Sequence, residues 1–327
     1  MKIIRVFISL ILVFAFGFTI FIGKDKIAEQ KDYKSPEEYK GILTLWQVDG
    51  FEGGKGSRKQ FLLKISRDFE RQNKGVLVMV INHTFTSVEE NLKNGVYPDL
   101  ISFSNGVEVT GVESLNVERT IESTKIGEKV YATAWCRGGY ALIKNPNAKE
   151  QERSSIIVSQ AEFAQPLVAF CLEGLNFDEI KVYSPMEAYV KFTENKTAYF
   201  LGTQRDVVRL SNRGMQVEVC PLNLFNDLYQ YVAITSTDVN KRMYARQFVE
   251  YLVSDSVQKQ LNKISMFSPY LRVEFEDENL SSMQENNKFL CISAYLSKAQ
   301  LKELQQISAL GAKGNQNSIN KIKNMLI

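Results

Sequence analysis

A chain of 327 residues with 40 Lys and Arg against 37 Asp and Glu, net charge +3, has no surplus to offer a nucleic acid, and its charges are interleaved without a basic patch. Its 44% hydrophobic content is that of a globular protein, and its length suits one large or two medium domains. Cys136, Cys171, Cys220 and Cys291 are far apart, with no CxxC and no metal-ligand spacing, which leaves buried thiols or one or two disulfides open.

Lys2 and Arg5 precede an uncharged run over 6–23, closed by Lys24-Asp25-Lys26. As a helix those 18 residues would span about 27 Å at ~1.5 Å per residue, just short of a ~30 Å hydrocarbon core. The run is an export signal or an anchor. No small-x-small cleavage site follows it, and no cysteine precedes Cys136, so an uncleaved anchor is expected. Positive charge on both flanks gives weak orientation. We assign 1–30 to the signal or anchor and 31–40 to a polar tether.

Residues 41–48 (GILTLWQV) read as a buried strand, and 49–56 (DGFEGGKG) as a glycine-rich loop. Ser57 is placed to cap a helix to about residue 73, with Phe61, Leu62, Ile65 and Phe69 on one face and Gly75 at its end. A strand at 76–81 follows, then a helix opened by Ser87-x-x-Glu90, then a strand at 100–103. Strand-helix-strand-helix-strand predicts a parallel sheet. The glycine-rich loop fails the phosphate-loop pattern at both ends, since Asp49 and Gly56 stand where Gly and Ser or Thr are needed.

Two short strands are expected in 129–144, around Arg137-Gly138-Gly139. An apolar helix is expected around 163–175, and Ser184-Pro185-Met186-Glu187 reads as a helix start. The segment 198–222 reads as strand, tight turn at Gly202, helix, and second strand. Thr203 caps that helix, and Asp206 completes a capping box. Arg205 sits in the first turn, where a cation opposes the helix dipole at a cost of about a few tenths of a kcal/mol. It either leans on Asp206 and solvent or faces a bound molecule. A strand at 229–235 and helices at 241–252, 256–264, 298–309 and 318–327 complete the chain.

Catalytic signals are weak. The single histidine, His83, stands at a loop start and suits a surface or hydrogen-bonded role. No nucleophile has a visible partner and no metal-ligand cluster exists, so neither enzyme activity nor a cofactor is expected.

The ordered set GILTLWQVDG…FLLKISRDFERQN, GVLVMVIN, NLKNGVYPDLISF, TAYFLGTQRDVVRL…VEVCPL and YVAIT…YARQFVEYLVSDSVQKQL…SMFSP resembles the extracellular solute-binding proteins of bacterial ABC importers, a family with many sugar binders. The resemblance covers about 41–327. The family's lipid-attachment cysteine is absent, and so is the aromatic residue common near the position of Arg205. The resemblance implies an α/β, two-lobed periplasmic-binding-protein type II fold with a ligand cleft between lobes. Lobe one would comprise 41–134 plus 233–275, and lobe two 135–232 plus 276–327.

Carried over by segment, the ligand-facing residues would be Trp46, Asp49 and Glu52 in the first loop region and Trp135, Arg137 and Tyr140 on the crossing strands. Thr203, Gln204 and Arg205 would join them from the helix start, and Tyr229 and Tyr231 from the second crossing. Aromatic rings suit sugar faces, and carboxylates and amides suit hydroxyls; core packing is the competing role for each aromatic. The implied partners are a small solute (a sugar or a small anion), an ABC permease, and the membrane through 6–23, at the extracellular face. An anchored ligand-sensing or scaffolding module with the same fold is the alternative.

Overall fold

The computed structural model describes residues 40–149, 154–195, 197–285 and 288–326. The expected anchor at 6–23, and the tether as far as residue 39, lie outside the described residues. Among the described residues no helix is long and apolar enough to cross a membrane.

The first half builds strand and helix in alternation. β1 (Gly41–Val48), helix α1 (Arg58–Gln72), β2 (Val76–His83), α2 (Phe85–Lys93) and β3 (Leu100–Phe103) follow one another. β1 lies between β2 and β3 and is parallel to both, as the strand-helix alternation predicts. α1 turns Phe61, Leu62, Ile65 and Phe69 inward, and Gly75 takes the left-handed backbone (φ 95°) that reverses the chain. α2 starts at Phe85 under a Thr84 cap, earlier than the Ser87 start expected: the Thr84 hydroxyl accepts from the Ser87 amide at 3.2 Å. Ser87 had the right residue type, but an acceptor three residues upstream took its N–H.

A two-stranded ribbon, β4 (Lys125–Ile126) and β5 (Lys129–Val130), precedes β6 (Thr133–Arg137). β6 joins the first sheet beside β12 (Tyr229–Ile234), whose order is β2-β1-β3-β12-β6. β12 runs antiparallel to both β3 and β6. After Gly138-Gly139 the chain enters a second sheet at β7 (Tyr140–Lys144). β8 (Ser155–Ser159), α3 (Pro166–Leu172), β9 (Glu179–Tyr183), α4 (Pro185–Thr193), β10 (Tyr199–Thr203), α5 (Gln204–Asn212) and β11 (Glu218–Pro221) follow. The order of this sheet is β11-β7-β10-β8-β9. β8, β9 and β10 are parallel, while β7 is antiparallel to β10 and β11.

The expected turn at Gly202 is not present. β10 continues through Gly202, paired with Ala141, and α5 begins immediately after Thr203. A Cβ at Gly202 would lie 2.8 Å from Asp206 Oδ2, so the glycine gives the capping carboxylate room rather than turning the chain. β9 and the β4–β5 ribbon escaped the sequence reading because they are short and none of their residues is buried, so they leave no sustained apolar run.

After β12 come α6 (Val239–Leu252) on the first sheet, short helical turns at Asp255–Gln258, Lys259–Ile264 and Glu278–Ser282, and the longer α7 (Lys298–Ala312) and α8 (Gln316–Asn324). α7 packs against α3 and carries α8. Each sheet has its own core. Trp46, Val48, Ile101, Phe103, Ala134 and Tyr231 belong to one; Ile143, Ile157, Phe192, Phe200, Leu210 and Phe267 belong to the other. The four cysteines are free thiols; Cys136, Cys171 and Cys291 are buried and Cys220 is exposed.

Candidate functional site

The carboxyl ends of all the parallel strands except β3 open onto one cavity of about 680 Å³. From the first sheet, β1 contributes the glycine-rich loop with Asp49, Phe51 and Glu52, and β2 contributes Asn82, His83 and Thr84. From the second, β8 leads to Ala161 and Glu162, β9 to Pro185 and β10 to Arg205. This is where an open α/β sheet exposes helix N-termini and loop backbone to a ligand.

The loop holds its shape by close backbone approach. The Gly54 amide donates to Met266 Sδ at 3.2 Å and the Lys55 amide to the Ile264 carbonyl at 2.8 Å. A Cβ on Gly54 would lie 2.1 Å from the Ser265 carbonyl oxygen, so no larger residue fits without moving backbone. Arg58, at the start of α1, ties the loop from inside. Its Nε donates to Asp49 Oδ1 at 2.6 Å, its Nη2 donates to the Phe51 carbonyl, and its Cζ lies 4.3 Å from the Phe51 ring centroid. Asp49 also accepts from Gln47 Nε2 at 2.9 Å.

Glu52 reaches across to α5. Its two oxygens accept from Arg209 Nη1 and Nη2 at 3.0 and 2.8 Å, the bidentate geometry that a planar guanidinium favours. Arg205 Nη1 donates to the Gly54 carbonyl, and its Nε has no partner. Asp206 completes the capping box, accepting from the Thr203 amide at 2.8 Å. Burial raises the Asp206 carboxyl to about 7. His83 lies 4.5 Å from the Trp46 ring, with Nδ1 3.0 Å from Ser87 Oγ, and desolvation lowers its pKa.

Asp49, Glu52 and Arg205 therefore meet at the cavity. The other sequence-derived residues do not line it. Trp46 packs behind His83 in the first core. Trp135 is fully buried, stacked on Phe61 with its indole N–H donating to Ser102 Oγ at 2.9 Å. Arg137 lies between the Phe267 and Phe289 rings, and burial lowers its pKa to about 10. Tyr140 donates to Asp227 Oδ1 at 2.7 Å. Gln204 Oε1 accepts from the Gly139 amide at 2.9 Å, bracing the passage between the sheets. Tyr229 and Tyr231 stack at 6.0 Å inside the first core, and Thr203 is spent on its cap.

Phe51, Arg58, Asn82, Thr84, Phe85 and Glu162 line the cavity without having been singled out as ligand-facing. Phe51 lies within the glycine-rich loop and Arg58 just after it, and that proximity was the available signal. Glu162 had none, because only the packing of β8 brings it there. Among the described residues, no cluster of His, Cys, Asp and Glu suits a metal ion.

No protein-family model matches the chain, and no curated protein sequence matches it. Solved structures do. The sugar-binding protein MalE of Xanthomonas citri superposes with a TM-score of 0.60 at 13% identity, over 87% of this chain and 96% of that one. The galacto-N-biose/lacto-N-biose I-binding protein of a Bifidobacterium longum ABC transporter, in complex with lacto-N-biose, gives 0.60 at 11%, over 88% and 95%. The GacH receptor of Streptomyces glaucescens gives 0.56 at 11%, over 88% and 97%. At such identities the likeness is one of fold: over nearly the whole length of those chains this protein shares the fold of these binding proteins.

Proposed function

We propose that this protein is the extracellular solute-binding component of an ABC importer and captures a carbohydrate in the cavity between its two sheets. It binds and releases its solute rather than transforming it, and hands it to a membrane permease. The observation that carries this reading is the cavity itself. Strand ends from both sheets build it, its volume of about 680 Å³ falls in the ~300–1,000 Å³ range of small-molecule sites, and the fold is shared with sugar-binding proteins.

In this reading each sheet is the core of one lobe; of the expected bounds, 41–134 plus 233–275 and 135–232 plus 276–327, those at 134/135 and 232/233 cut β6 and β12, which both belong to the first sheet and go whole with lobe one. Asp49, Glu52 and Arg205 are the ligand contacts kept from the sequence-derived set. The hydrophobic run at 6–23 holds the protein at the outer face of the membrane, and intact mass of the native protein should include it; a mature start after Gly23 would remove the anchor. Binding is tested by thermal shift of the full-length chain in detergent against a sugar panel. A ligand at 100 times its dissociation constant adds about 2.7 kcal/mol to stability. Saturable stabilisation by at least one saccharide is expected, and no shift across mono- and oligosaccharides would sink the reading.

A further inference from the structure

Arg209 of α5 stands between two carboxylates. On one side its guanidinium meets Glu52 of the glycine-rich loop in the bidentate pair, at 2.8 and 3.0 Å. On the other its Nη1 lies 3.9 Å from Asp206 Oδ1, one turn back on the same helix. Its Cζ lies 5.4 Å from the centroid of the Tyr189 ring of α4. Glu52 follows a strand of the first sheet and Arg209 a strand of the second, so the pair joins the two halves.

Asp206 is fully buried. Its Oδ2 accepts from the Thr203 amide and hydroxyl at 2.8 and 3.2 Å, while its Oδ1 has no hydrogen-bond partner. Burial, and after it the Glu52 charge, push this carboxyl up to about 7, against the pull of the Thr203 bonds and Arg209. Arg205, its neighbour on the helix, donates to the Gly54 carbonyl. Other elements packed on α5 meet it with apolar side chains, Ala141 and Ile143 from β7 and Leu280 from the turn at Glu278–Ser282. The charges acting on Asp206 are those of Glu52 and Arg209.

The halves hold the Asp206 proton differently when together and when apart. Together, they set the Glu52 charge against the ionised form. Apart, that repulsion is gone, and Arg209, released by Glu52, is free to pair with Asp206. Both changes lower the pKa, so the closed arrangement binds the proton more tightly. By linkage, rising pH favours separation, and one proton changes the ratio of open to closed by at most about tenfold per pH unit.

We propose that Glu52, Arg209 and Asp206 form a proton-sensitive strap across the cleft. With Asp206 protonated, Arg209 serves Glu52 alone and the halves stay together; with Asp206 ionised, the strap weakens and the cleft opens to release its solute. This rests on the two-lobed, solute-binding reading above and adds a control of closure by pH.

The test is a distance across the cleft in the full-length protein in detergent. Spin labels on Thr86→Cys and Met186→Cys, exposed positions of α2 and α4 beside the cavity residues Phe85 and Pro185, report it, with Cys220→Ser removing the exposed thiol. Between about pH 5 and about pH 8 a short, narrow distribution should give way to a longer, broader one. Asp206→Asn, which can keep the cap bond and cannot ionise, should hold the short distance throughout. Arg209→Gln, which removes the strap, should give the long one throughout; should Asp206→Asn not fold, this variant and the response of the parent still decide. Asp227→Asn removes the other carboxyl raised to about 7 and should leave the response in place. Loss of the response in Asp227→Asn, or its survival in Asp206→Asn, would overturn the proposal. A distance that lengthens in Arg209→Gln but ignores pH in the parent would overturn the switch and leave two moving lobes standing. A distance unmoved by pH and by every substitution would overturn both.

Discussion

Asp227 is a carboxyl group whose proton the fold keeps to a higher pH than usual. Its Oδ1 accepts from the Tyr140 hydroxyl at 2.7 Å and its Oδ2 from the Gln165 amide at 3.0 Å. Burial nevertheless raises it from 3.8 to about 7, and the same cause raises Asp206 to about 7. In the unfolded chain both lose their protons near the ordinary value. Between roughly pH 4 and 7 the folded state therefore binds more protons than the unfolded one, and stability falls as pH rises through that window. In Asp227→Asn the amide can donate to the Tyr140 oxygen while its carbonyl accepts from Gln165, so the substitution keeps the contacts and removes one titration. Urea unfolding at several pH values should show stability declining from pH 4 to 7 in the parent and a clearly shallower decline in Asp227→Asn. An identical slope in the two proteins would refute the assignment. Neither shift could be recognised in the sequence, because it comes from burial among residues distant along the chain.

At the scale of elements, the glycine-rich loop and α5 are joined by Glu52 and Arg209. The pair is partly buried, with side chains 30% and 16% exposed, and bidentate. Exposed pairs are worth about 0.2–1 kcal/mol, and two well-formed charge-assisted bonds put this one at the top of that range, about 1 kcal/mol. A double-mutant cycle of Glu52→Gln and Arg209→Gln, read by chemical denaturation, should return a coupling of that size; a coupling near zero would mean that the loop is held by its backbone bonds and Arg58 alone. The capping box on α5 was legible beforehand, because it is written in residues three apart. The loop's clamp was not, because Arg209, Ser265 and Met266 reach it only through tertiary packing.

For the whole molecule, the chain passes between the sheets at Gly138-Gly139, after β6, and between β11 and β12. We expect hinge bending at about 132–139, which contains the first passage, and at about 229–235, which directly follows the second. The Arg137 amide and carbonyl bond those of Phe267, and the Gly138 amide donates to the Leu228 carbonyl at 2.6 Å, so the strands are laced together where bending would occur. Few-residue hinges of this kind suit a cleft that opens and closes by small backbone rotations. Small-angle scattering should show a smaller radius of gyration with saturating ligand than without it, and an unchanged radius would count against hinge closure. Glu52→Gln, which loosens one strap across the cleft, should enlarge the ligand-free radius more than the ligand-bound one.

Local patterns alone determined a good part of this protein. Apolar runs predicted β1, β3 and β12 to within a residue, the Ser184-Pro185 and Thr203 patterns located the starts of α4 and α5, and strand-helix alternation predicted the parallel part of the first sheet. Those features depend on residues close in sequence, whose period and capping act before any long-range contact forms. The site is different in kind. Asp49, Glu52 and Arg205, carried over by segment from the resemblance, line the cavity, and they adjoin a glycine loop and a helix start that are visible locally. Trp135, Arg137, Tyr140, Gln204, Tyr229 and Tyr231 have equally suitable chemistry, yet they face the cores or brace the passage between the sheets. Which side of a strand faces a cavity is set by register and sheet packing, and a one-residue change in either reverses it. The antiparallel insertion of β12 beside β3, and the convergence of four helix ends on one cavity, were decided only when the two sheets came together.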